Sequence, residues 1–362
     1  MSTSVGQYGS SGTSIILSAA IKQMTLEQQN ITWEQSGGTL SETYAGLGAS
    51  RSTVIALAPR ITQITAWQSN ISTAQNNLSI TATALTSMVT QAQALSTNLT
   101  SITGTTQSSA VTSVAIEAQN ALTVLGNTLN TSNGLGYIFA GQDSSEAPVP
   151  GGASSLATSS LATQISSMVS TLGTSGASTV LENATTAAAD NSSGTSVFSS
   201  ALSVSSDDAD SLATSVITGS GTSSLMGIVA TQNSTSSTAS STSTGSPIRD
   251  LMRDMMIVSA MSGLSSNSAG YSDLVTQLNS SLKTTISQLV EMESTVGTTQ
   301  SGLTSSASTL TSVQTMLKAQ VSDIQGADIA QVATESSALS TNLEASYQLI
   351  AKMKNMSLAD YI

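Results

Sequence analysis

The 362-residue chain contains no histidine and no cysteine, and these two absences exclude more chemistry than any motif in it suggests. Histidine is the side chain most often used to move protons near neutral pH, and the commonest metal ligand. Cysteine carries disulfides, thiolate nucleophiles, zinc-thiolate sites and iron–sulfur clusters. Aromatic residues make up 3% of the chain and charged residues 8%, with two Trp and two Phe in all. Aromatic side chains supply much of the buried area of compact cores, so this set does not build one thick core. Long amphipathic helices packed through Leu, Ile, Val, Met and Ala need no aromatics. Carboxylate or lysine catalysis stays chemically open, but the expectation is a non-enzymatic protein with no cofactor and no metal.

The formal charge is −12, and its layout is lopsided. No Lys or Arg lies between Arg60 and Arg249, a stretch that holds Glu117, Asp143, Glu146, Glu182, Asp190, Asp207, Asp208 and Asp210. A nucleic-acid binder needs clustered cations to displace counterions from phosphates. Nucleic acid and anionic membrane surfaces are therefore poor partners. No window approaches the ~20 apolar residues that span a bilayer, so membrane insertion is not expected. The apolar stretch Ile15-Ile16-Leu17-Ser18-Ala19-Ala20-Ile21 is short and has no basic region before it, unlike a cleaved signal. That predicts a cytoplasmic protein, or one exported by a route that reads no such signal.

Periodicity is strongest over 52–103. Ile64, Ile71, Leu78, Leu85, Ala92 and Leu99 recur every seven residues, and Ile61, Trp67, Ala74, Ala82, Val89 and Leu95 form a second row. Such a run predicts a long coiled-coil-forming helix. The residues between are Gln, Asn, Ser and Thr, which suits packing against neighbours more than isolation in water. A second helix is predicted over 111–131, with Val111, Val114, Ala118, Leu122, Leu125 and Leu129 on one face, ending at Asn133-Gly134-Leu135-Gly136. Tyr137-Ile138-Phe139-Ala140-Gly141 follows as a short β-prone segment, then Pro148 and Pro150.

Ser and Thr supply 45 of the 97 residues from 151 to 247. Low-complexity linker is one reading, a small weakly stable β domain the preferred one, with 231–246 a loop. Helical spacing resumes at Pro247, a tolerated first-turn proline, with Ile248, Leu251, Met252, Met255, Val258 and Met261 on one face. Leu274, Leu278, Leu282, Ile286, Leu289 and Val296 continue it; Leu303, Leu310, Leu317 and Ile324 repeat every seven; Ile329, Val332, Leu339, Leu343, Ile350 and Met353 close it. A near-continuous helix of roughly 80 residues is implied, with breaks expected at Gly297, Gly302 and Gly326. The fold class is mainly α: long antiparallel helices or coiled coil from the two ends, and a small β-rich or irregular inserted middle. The expected division is terminal helical segments 1–40 and 325–362 that order on assembly, a helical bundle from 41–147 and 248–324, and a protruding Ser/Thr-rich domain over 148–247.

These segments resemble the flagellin superfamily, the bacterial flagellins and their hook-associated relatives, over roughly 37–147 and 247–362. "SETYAGLGASRSTVIAL" at 41–57 is similar to the loop entering the second helical domain. "NGLGYIFAGQDSSEAPV" at 133–149 resembles the hook–filament junction branch, where a Tyr-hydrophobic-Phe-small-Gly segment precedes the variable insert. Asp328-Ile329-Ala330 and Leu343-Glu344-Ala345-Ser346-Tyr347 fit the shared C-terminal helix, and Ser357-Leu358-Ala359-Asp360-Tyr361-Ile362 is similar to the junction branch's terminus. The first 36 residues match only loosely, and the "TYAGLG" form at 43–48 leaves a filament flagellin open. The resemblance implies an extracellular subunit of the bacterial flagellum, exported through the flagellar secretion system without a cleaved signal. It would form a homo-oligomeric ring or helical array as a hook-to-filament adaptor. Implied partners are a second hook-associated protein, flagellin or cap-side subunits, and an export chaperone on the C-terminal helix.

Subunit-interface candidates are the apolar residues near both ends: Ile15, Leu26, Ile329, Val332, Leu339, Leu343, Ile350 and Met353. Such ends would be disordered in the monomer and helical once neighbours supply an apolar surface. Met252, Met255, Met256 and Met261 are expected in a core rather than on an adaptable partner surface. Asp207-Asp208-x-Asp210 lacks the glycine and distal glutamate of a calcium loop and reads as a solvated loop. Glu291 and Glu293 fall on nearly opposite helix faces and form no acid/base pair. A membrane-active translocator would need a long apolar hairpin, and a middle-domain hydrolase convergent acids beside aromatic platforms; neither pattern is present. The Ser/Thr-rich middle reads as plain surface, with glycosylation left open.

Overall fold

The computed structural model describes the chain from Gly9 to Asn355, with side chains from Ile15 to Lys352. Helix α1 (Gly9–Gly37) leads through a 3₁₀ segment (Tyr44–Ser50) into α2 (Arg51–Ile102) and α3 (Ser108–Leu129). A 3₁₀ turn (Ala153–Thr158), α4 (Ser160–Ser170), α5 (Leu172–Ser175), α6 (Ala177–Ala189) and α7 (Ser206–Asp210) follow. Strands β1 (Ser215–Gly219) and β2 (Thr222–Leu225) pair antiparallel, as do β3 (Ala239–Ser240) and β4 (Ser243–Thr244). Helices α8 (Pro247–Ala260), α9 (Tyr271–Gln325) and α10 (Ile329–Asn355) complete the chain. The structure is mainly α, with a small irregular middle. Among the described residues no helix is long and apolar enough to cross a membrane.

The chain divides into two compact units, a terminal one (1–65 and 310–362) and a central one (66–309). In the central unit α2 buries Ile71, Leu78, Leu85, Ala92 and Leu99 at the predicted seven-residue spacing. The hydroxyl residues between them mostly satisfy themselves: Thr73, Thr83, Thr90 and Thr97 each donate to the carbonyl four residues earlier. That pattern costs the helix little and leaves the face polar without charge. Helices α2 and α9 run antiparallel, in a register marked by Gln75–Thr304, Thr86–Glu293 and Ser96–Asn279. The buried Tyr271 hydroxyl donates to the Ile102 carbonyl at 2.8 Å, so the start of α9 satisfies an orphan acceptor at the end of α2. Helix α3 packs on α8 and on the Ala153–Thr158 turn. A Cβ on Gly126 would lie 2.7 Å from the Ala153 Cα, so only glycine permits this approach.

The middle is more helical than its composition predicted. Leu161, Ile165 and Val169 form the buried stripe of α4, and Val180, Leu181, Ala184 and Ala188 that of α6. Both pack on α8. Sheet structure there is confined to the two short hairpins. Gly297 and Gly302 sit inside α9 without breaking it, and the expected interruption occurs at Gly326. The methionines of α8 and Met261 are core, all with 1% exposure or less.

Candidate assembly surface

In the terminal unit α1 packs against α10. Their common core is small: Ile31 from α1 with Val332, Leu339 and Leu343 from α10, flanked by Ile21, Met24 and Ala327. At one end the two segments are tied through backbone, Leu40 N–H donating to Gln325 O at 2.8 Å and Ala327 N–H to Gly38 O at 3.0 Å. Asp328 caps α10, its carboxylate accepting from the Ala330 and Gln331 amides. Glu34 of α1 is pushed above its ordinary range by burial and by Glu335 of α10.

The eight interface candidates divide on this geometry. Val332, Leu339 and Leu343 are buried within the chain, in the α1·α10 core. Ile15, Leu26, Ile329 and Ile350 are exposed. The Met353 side chain lies outside the described residues, as does the 357–362 motif. Reading the heptad row alone missed Ile16, Tyr347 and Leu349, which are also exposed on these helices. It also missed Ile31, the α1 residue at the centre of the core. Nothing in the weak amphipathic pattern of α1 singles Ile31 out without its α10 partners.

The central unit holds the densest polar chemistry. Arg253, with 0% exposure, donates to Asp254 at 2.7 and 2.9 Å, to Asp250 at 3.2 Å, and to Thr185, the Thr242 carbonyl and Ser281. Asp250 also accepts from Ser243 and the Thr244 amide, and Asp254 from Ser281. Burial opposes the Arg253 charge, but Asp254 and Asp250 outweigh it and hold the guanidinium above its ordinary value. Burial pushes the Asp254 carboxyl up while Arg253 and Ser281 pull it back; with two charged hydrogen bonds below 3 Å the pair is ionised. Arg249 donates to Asn191 and to the Ala188, Leu202 and Val204 carbonyls, and lies 5.3 Å from the Phe198 ring centre. Its burial lowers its pKa to about 10.

These groups tie α6, α9 and the 185–244 excursion to α8; each carboxylate is committed to a structural partner. Beside them lies a cleft of about 470 Å³ lined by Ser, Thr and Gln side chains with Glu182 and Asp250. Glu291 accepts from Ser236 and Glu293 from Thr86, so the two acids of α9 serve different neighbours. Asp207 accepts from Asn233 in an exposed turn capped by Ser205. Among the described residues no group of His, Cys, Asp or Glu could hold a metal ion.

Residues 280–362, from within α9 to the C-terminus, match the family described as the bacterial flagellin C-terminal helical region. No curated protein matches the chain. The match covers less than a quarter of the chain, and likens that C-terminal stretch to the flagellins.

Proposed function

We propose that this chain, with its flagellin-type C-terminal region, is a structural subunit of the bacterial flagellum that joins hook to filament. The observation that carries the reading is the α1·α10 pair. Its internal core is four residues deep, while Ile15, Ile16, Leu26, Ile329, Leu349 and Ile350 stay exposed along the same helices. Exposed large apolar residues on paired helices mark a surface completed by other chains, and α10 lies within the flagellin-type stretch. Copies of the chain would supply that surface in a ring or helical array outside the cell. The same face of α10 would seat an export chaperone beforehand. Structural rather than catalytic work fits a central unit whose buried carboxylates are all engaged. The junction position rests on Tyr137–Gly141 and Ser357–Ile362, with a hook-associated protein on one side and flagellin or cap-side subunits on the other.

A filament flagellin is the second reading, because the matched C-terminal stretch fits it equally. A deletion strain separates the two. Loss of filament attachment with flagellin spilled into the medium supports the junction; a filament of altered shape supports the filament subunit. Hydrogen exchange on dilute monomer tests ordering on assembly: slow exchange throughout 9–35 and 335–355 before assembly would overturn it.

A further inference from the structure

The polar cleft of the central unit has a floor that the fold leaves unused. Its volume of about 470 Å³ falls within the ~300–1,000 Å³ of small-molecule sites, which are mostly apolar. Here Leu181 is the one apolar lining residue. Helix α6 contributes Ser178 and Glu182, one turn apart, and the chain around the β3–β4 hairpin contributes Ser236, Thr242 and Ser243. Helix α9 contributes Gln277, Ser281, Thr284, Thr285 and Gln288. These recur at i, i+4, i+7, i+8 and i+11, the spacing of a packed helix face, yet none is aliphatic.

The lining divides into groups the fold has used and groups it has not. Ser281 donates to Asp254, Ser243 to Asp250 and Gln277 to Ser178, which fixes the walls. Arg253 compensates the Asp250 charge from behind. The Thr284 hydroxyl returns to the Ser280 carbonyl, as most threonines of these helices do. Thr285 and Gln288 differ. They are 2% and 8% exposed, and among the described residues neither side chain has a hydrogen-bond partner. Glu182 stands exposed at the rim, with no ion pair among the described residues. A hydroxyl and a carboxamide so far from bulk water have bonds to make that only a molecule in the cleft can complete.

The chemistry of the lining narrows that molecule. Glu182 and Asp250 disfavour an anion, and one leucine with a few threonine methyls offers little to an apolar ligand. A cation would meet Glu182 but also the donor groups of Gln288. Hydroxyls and carboxamides both donate and accept, and a carboxylate can accept from two neighbouring hydroxyls through its two oxygens. We propose that the cleft binds a neutral polyhydroxyl ligand, a saccharide unit, with Thr285 and Gln288 bonding its hydroxyls from the floor and Glu182 from the rim. No aromatic side chain lines the cleft to stack on a sugar ring, so the affinity is weak, roughly millimolar. The site is complete within one chain and stands or falls independently of any assembly.

The test uses the full-length chain, with methyl α-glucoside, cyclohexanol and sodium sulfate as probes and amide and side-chain NMR shifts as the readout. Glucoside is expected to give saturable shifts at Thr285, Gln288 and Glu182, unaffected by sulfate. Cyclohexanol, a ring with a single hydroxyl, should bind at least about tenfold more weakly, because it leaves the polar floor unpaired. Gln288→Leu should weaken glucoside binding roughly tenfold. Glu182→Ala, at an exposed helix position that folding does not need, should weaken it severalfold and decides the matter if the leucine variant fails to fold. Absence of saturable shifts at about 0.1 M glucoside, an equal response to cyclohexanol, displacement by sulfate, or binding that neither variant weakens overturns the proposal and leaves the cleft to water.

Discussion

The central and terminal units use the same helical spacing and obtain different amounts of burial from it. Along α2 the central unit buries a residue every three or four positions from Ile71 to Ile102, because both α9 and α3 supply neighbours. Among the described residues of α1 only Ile31 is buried, in the small core it shares with α10. Apolar period sets which side chains could be core; the number of neighbouring elements sets which of them are. A two-helix pair is the smallest arrangement that hides any apolar row, and it leaves the outward half of each helix exposed.

If that contrast is right, the central unit should respond most to a broken interior. Arg253→Ala leaves Asp254 buried without its counter-ion and should cost roughly 3–5 kcal/mol, read as a lowered unfolding transition and faster hydrogen exchange in α8, with α1 unchanged. The paired replacement Arg253→Met/Asp254→Leu should lose less than the single change, since no charge is stranded. Equal loss in α1 would show that the two units are not energetically separate. Leucine truncation gives the next effect. Leu122→Ala and Leu339→Ala should both fall within about 2–5 kcal/mol, Leu122 nearer the top, because the thin α1·α10 core can collapse around its cavity. Denaturant midpoints by circular dichroism compare the two. Gly141→Ala probes backbone: with φ at +62° and a Cβ placed 2.5 Å from the Leu212 carbonyl oxygen, it should cost about 1–3 kcal/mol.

The smallest effect separates the units by pH. Glu34 is raised on folding, so its contribution is fully present below its ordinary value of 4.5 and is lost as pH rises through the raised value. Glu291 is lowered, chiefly by the Ser236 hydroxyl, so its contribution is present above the same ordinary value and is lost as pH falls through the lowered one. As pH falls, α1·α10 should therefore tighten above 4.5 and the 234–236 loop loosen below 4.5, with exchange rates of those amides as the readout. Parallel movement of both would contradict it.

Where one face of a helix meets one partner over many turns, the sequence was enough to find it. Helices α2, α3 and α8 begin within three residues of the positions predicted from heptads and from Pro247. Helices α4 and α6 were hidden because serine and threonine dominate by count, although Leu161, Ile165 and Val169 already carried the i, i+4, i+8 stripe. The preference of threonine for strands misled there: burial of a few aliphatic residues on α8 overrode propensity. Gly297 and Gly302 did not break α9, since a glycine in a packed helix costs only about 1 kcal/mol. The α1·α10 core was half legible: Val332, Leu339 and Leu343 stood out by period, but whether they face the same chain or another depends on where α1 lies.

The cation-free stretch from 61 to 248 has one more consequence, in durability. A protease that cuts after lysine or arginine finds Arg249 and Arg253 buried and, among the described residues of the central unit, only Lys283 at the surface. Its accessible targets concentrate instead in the terminal unit, at Lys22, Arg51, Arg60, Lys318 and Lys352, so trypsin should strip that unit and release the central one in at most two large pieces. A chain built of hydroxyls and carboxylates is, for that class of enzyme, almost without handles.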